Sequence, residues 1–109
     1  MTAETLDTMR RDMTAAAASL ADATRRASNA YESMLSAALP IADAIAIGGA
    51  PSDSAVTAFR IKRESLAAAY DAADLARIKF HAAAEKFHIA ESDARVRDLA
   101  DERHLQEGR

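Results

Sequence analysis

The chain has no cysteine and no tryptophan, and only 3 glycines, 2 prolines and 5% aromatic residues. Each shortage excludes something. Without cysteine there is no disulfide framework, no thiolate metal site and no cysteine nucleophile. Glycine and proline are too few to supply the turns of a β-protein, which would need one about every 8–12 residues, and long β-branched runs are missing as well. Charge of one sign is also in short supply. A formal net charge of −3 has the wrong sign for a nucleic-acid binder, whose affinity comes from neutralising phosphates, and is too small for a nucleic-acid mimic. The most apolar stretch, 36–50, holds Pro40 and Asp43 and falls short of the ~20 apolar residues that span a bilayer, so no membrane insertion is expected. The segment ending at Met13 carries Glu4, Asp7, Arg10, Arg11 and Asp12 with no apolar run. It does not read as a Sec signal peptide. The expected location is the cytoplasm, with signal-less secretion and incorporation into a virion left open.

Half of the residues are hydrophobic, and alanine dominates that half. Alanine forms helix better than any other residue yet has almost no side chain to bury. At 109 residues there is room for one domain, 1–109. The expected fold is all-α: a long, alanine-rich antiparallel hairpin of two helices, coiled-coil-like, with helix 1 over about 3–47, a turn at 48–53 and helix 2 over about 54–105.

In the first helix, alternating steps of three and four reach Leu6, Met9, Met13, Ala16, Leu20, Ala23, Ala27, Ala30, Met34, Ala37, Ile41 and Ala44. Every position is apolar, as a sustained heptad seam requires. Toward the turn a second stripe appears with Tyr31, Leu35, Leu39 and Ile45. Pro40 removes a hydrogen bond and crowds the preceding turn, so a kink or break is expected near Ser36–Pro40. Gly48 and Gly49 stop the helix, and Ser52 or Asp53, after Pro51, caps the next one.

The expected seam of the second helix is Val56, Phe59, Arg63, Leu66, Tyr70, Ala73, Arg77, Phe80, Ala84, Phe87, Glu91 and Ala94. One alternate set is wholly apolar; the other is interrupted by Arg63, Arg77 and Glu91. Those arginines read as side chains whose stems pack while their heads reach solvent, and otherwise as buried charges that fix partner choice. A further stripe holds Ile61, Leu75, Ile78, Ala82, Ile89 and Val96. Two apolar stripes on one helix point to more than one packing partner. Folding about the turn sets residue i near 101 − i, with Glu91 by Arg10 and Arg11 and with Phe80 and Phe87 over the alanines around Ala16 and Ala23. The residues expected in core or interface are Leu6, Met13, Leu20, Tyr31, Met34, Leu35, Phe59, Leu66, Tyr70, Phe80 and Phe87. A thin two-helix core is marginal, and self-association into a four-helix bundle or larger array is the expected remedy.

Chemistry has few candidates. His81, Glu85 and His88 lie at i, i+4 and i+7, a spacing that brings possible zinc ligands to one helix face. A metal bundle needs further inward carboxylates, and the first helix offers only Glu4 and Glu32. A polar strip with local pairing is the weightier reading. Met9, Met13 and Met34 read as core filling before they read as an adaptable binding surface. Gly48-Gly49 lacks the following lysine and preceding strand of a phosphate loop. No catalytic residue, cofactor or metal is assigned.

The turn Pro51-Ser52-Asp53, followed by Ala55, Ala58, Phe59 and Lys62, resembles the inter-helix turn of type III secretion needle subunits. That resemblance implies a secreted, polymerising hairpin. It covers about a dozen residues, and the end of this chain, His104-Leu105-Gln106-Glu107-Gly108-Arg109, lacks the apolar C-terminal segment of those subunits. The ESX-type hairpins are similar in length and in having a glycine in the turn. Their Trp-x-Gly has no counterpart here, and Tyr70-x-x-x-Asp74, which has the spacing of their C-terminal motif, falls in mid-helix. The function expected from the whole sequence is that of a non-enzymatic structural or adaptor protein in a bacterial or phage-type assembly, partnered by itself or another protein. The alternatives are a secreted needle-like filament subunit, and a small inhibitor docking one helix face on a host protein.

Overall fold

The computed structural model describes residues 3–107, with side chains from Thr5 to Gln106. Two helices account for nearly all of it: α1 over Ala3–Ala46 and α2 over Asp53–Glu107, joined as a hairpin. The bounds lie within two residues of those expected. α1 runs without interruption through Pro40, so there is no break and no separate second segment. Ser36 and Pro40 are both exposed, which puts the lost hydrogen bond on the solvent side, where water can replace it.

The turn is built from glycine geometry and a serine cap. The Gly48 N–H donates to the Ile45 carbonyl at 3.0 Å, and the Gly49 N–H to the Ala44 carbonyl at 2.9 Å. This pair of bonds is a Schellman closure, and it needs a left-handed residue at its first glycine. Gly48 sits at φ +80°, a region other L-residues rarely adopt. Ser52 then begins α2: its Oγ accepts from the Ala55 N–H at 3.1 Å, and its carbonyl accepts from the Val56 N–H at 3.1 Å. Of the two expected caps, Ser52 takes the role, and Asp53 places a negative charge in the first turn of α2, where the helix dipole favours it.

By packing, the chain divides into two units: Ser19–Arg77 is one, and the segment up to Ala18 with the segment from Ile78 onward is the other. All twelve seam positions of α1, from Leu6 to Ala44, are half-buried or buried. On α2 the phenylalanine set also turns inward, with Phe59, Ala73, Phe80, Phe87 and Ala94 half-buried and Leu66 buried. Its companion set follows the expected one only in part: Val56, Ala84 and Glu91 are half-buried. Arg63 and Arg77 are exposed and Tyr70 is 49% exposed. The inward companions are Ala69, Ala76, Ala83 and Ala90, each one residue earlier. Desolvation explains the correction. A seam through Arg63 and Arg77 would strip water from two guanidiniums, whereas one through alanines strips nothing polar.

Within the unit that pairs the start of α1 with the end of α2, the Arg10 guanidinium carbon lies 5.5 Å from the Phe87 ring centroid. The expected register places Phe87 near Thr14; the contact is instead with Arg10. Glu91 is therefore not a partner of Arg10; it binds Arg95 of its own helix at 3.2 Å. Phe87 packs beside Arg10, and nearby Met9 and Asp12 share a cleft with Ala82, Ala83 and Lys86.

Enclosure is nonetheless slight. Among the described residues only Ala27, Leu66 and Ala90 are buried, at 5%, 7% and 2% exposure. Charge does not supply the missing cohesion. Among the described residues the ion pairs Arg10–Asp7, Arg25–Asp22, Arg26–Asp22, Arg77–Asp74 and Arg95–Glu91 all join positions three or four apart on one helix. Exposed pairs of this kind contribute about 0–1 kcal/mol each and do not hold one helix to the other.

Two sets of substitutions test this packing. Chemical denaturation should show Phe87→Ala losing about 3 kcal/mol, the lower part of the range for core phenylalanines because the ring is half-buried. Ala83→Leu should lose ~1–3 kcal/mol by overpacking, while Arg77→Ala stays within ~0.5 kcal/mol. At the turn, Ser52→Ala should cost ~1 kcal/mol and Ser52→Asp almost nothing, and Gly48→Ala should cost ~1–2 kcal/mol. A costly Arg77→Ala beside a neutral Ala83→Leu would contradict the alanine companion set.

Candidate interaction surface

The a/d seam of α2 occupies one side of the helix. At 100° per residue, the stripe centred roughly 130° round from it contains Ile61, Ala68, Leu75, Ala82, Ile89 and Val96. These residues recur at every seventh position, and all six are exposed. The large ones are substantially so: Ile61 55%, Leu75 53%, Ile89 53% and Val96 64%. Ile78 and Leu99 widen the stripe on one edge and are exposed too. A helix whose only task were to pack on α1 would carry polar residues here.

α1 has its own outer stripe near the turn. Tyr31, Leu35 and Ile45, joined by Ala38 and Ala42, follow helical spacing on a face flanking the seam, and Leu39 lies at its edge. Tyr31 and Leu35 are just under half exposed; Leu39 and Ile45 are more so. The eleven residues expected in core or interface thus divide by position. Leu66 is buried; Leu6, Met13, Leu20, Met34, Phe59, Phe80 and Phe87 are half-buried along the seams; Tyr31, Leu35 and Tyr70 face outward. The strict seven-residue spacing of the α2 stripe escaped the periodicity reading because Ala68 was left out of it. Counting in sevens from Ile61 would have found it.

The polar candidates do not assemble. His81, Glu85 and His88 are exposed, and among the described residues no group of three or more His, Asp or Glu is placed to hold a metal ion. The Glu4 side chain lies outside the described residues. His81 instead leans on its neighbour Phe80, with ring centroids 5.8 Å apart and tilted by 53°. A shallow cleft of about 220 Å³ lies between Met9, Asp12, Ala82, Ala83 and Lys86. One carboxylate and one ammonium among apolar walls provide neither a nucleophile–base pair nor a cluster of donors for an oxyanion. No helix among the described residues is long and apolar enough to cross a membrane.

No protein-family model matches the chain, and neither a curated protein nor a solved structure matches it significantly. The likeness of the turn to needle subunits therefore rests on the residues around Pro51-Ser52-Asp53 alone.

Zinc titration checks the reading of His81, Glu85 and His88 as a solvated strip. Isothermal calorimetry should give no saturable heat, and the melting temperature should not move. Stoichiometric uptake that His88→Ala abolishes would overturn it.

Proposed function

We propose that this chain is a non-enzymatic structural or adaptor protein that acts through helix–helix contacts, in the first place with copies of itself, as part of a larger assembly of bacterial or phage type. One observation carries the proposal: among the described residues three are buried while thirteen large hydrophobic side chains remain exposed, several of them at heptad spacing. Scattered exposed hydrophobics are ordinary, but ordered stripes of them mark surfaces that pack against protein. Their spacing fits another helix, because a helix partner meets side chains in repeats of three and four. A cytoplasmic setting agrees with the absence of cysteine.

The secreted-filament reading differs in its geometry. A needle-like subunit makes head-to-tail contacts that do not close, so its mass grows with concentration. A closed bundle reaches a plateau. Multi-angle light scattering across about 5–200 µM is expected to give a plateau at two or four copies of the 11.6 kDa chain. Open-ended growth would favour the filament, and a single 11.6 kDa species throughout would refute self-association.

A further inference from the structure

We draw no further inference here: the strongest candidate, the exposed apolar stripe on the outer face of α2 through Ile61, Ala68 and Leu75, is an unpartnered helix face, and nothing in the structure shows what covers it.

Discussion

Alanine repeated every seventh residue on both helices is the constraint from which the rest of the structure follows. On α1 it occupies positions 16, 23, 30, 37 and 44, and on α2 positions 69, 76, 83 and 90. A row of methyl groups lets a neighbouring helix approach and seat its larger side chains, and Phe80 and Phe87 lie half-buried on the inward side of α2. The same row limits how much those side chains enclose. Alanine contributes helix propensity to the chain and little area to its core. The helices are therefore easy to form, while the contact between them is thin.

Several features follow from that trade. Most charges stay out of the contact, since a thin apolar seam has little means of offsetting the desolvation of a guanidinium; Glu91 is half-buried and Arg10 caps the Phe87 ring. Arg63 and Arg77 accordingly point outward, and Arg77 binds Asp74 at 2.9 Å on its own surface. The turn has to be well specified, because little else fixes how the helices meet. The closure at Gly48-Gly49 and the cap at Ser52 leave few orphan backbone groups at the joint. The surplus of apolar residues then appears on outer faces, where α2 presents its second stripe.

Much of this was legible in the sequence, for physical reasons that vary with the element. The α1 seam could be read outright, because its twelve apolar positions stand against charged neighbours such as Arg10, Arg11, Arg25 and Arg26. The turn was legible from glycine and serine chemistry. The companion set of α2 was not, because alanine is abundant on several of its faces and so marks none of them; choosing Tyr70 and Arg77 over Ala69 and Ala76 gave weight to size where desolvation decides. At the Arg10–Phe87 contact the pairing lies about four residues from the expected one, an offset that periodicity does not encode because the periodicity is the same for every register that keeps the seams facing. Candidate chemistry at His81, Glu85 and His88 was visible as a spacing. Spacing along one helix, however, says nothing about what the other helix brings to meet it.

The central claim is that an isolated hairpin buries too little and that association supplies the remainder. The melting temperature as a function of protein concentration tests this most directly, because whatever binds only the folded chain stabilises it by mass action. Circular dichroism melts over a hundredfold range of concentration should show the midpoint rising steadily as the protein becomes more concentrated. A midpoint independent of concentration, with full helicity retained at the lowest value, would contradict the account.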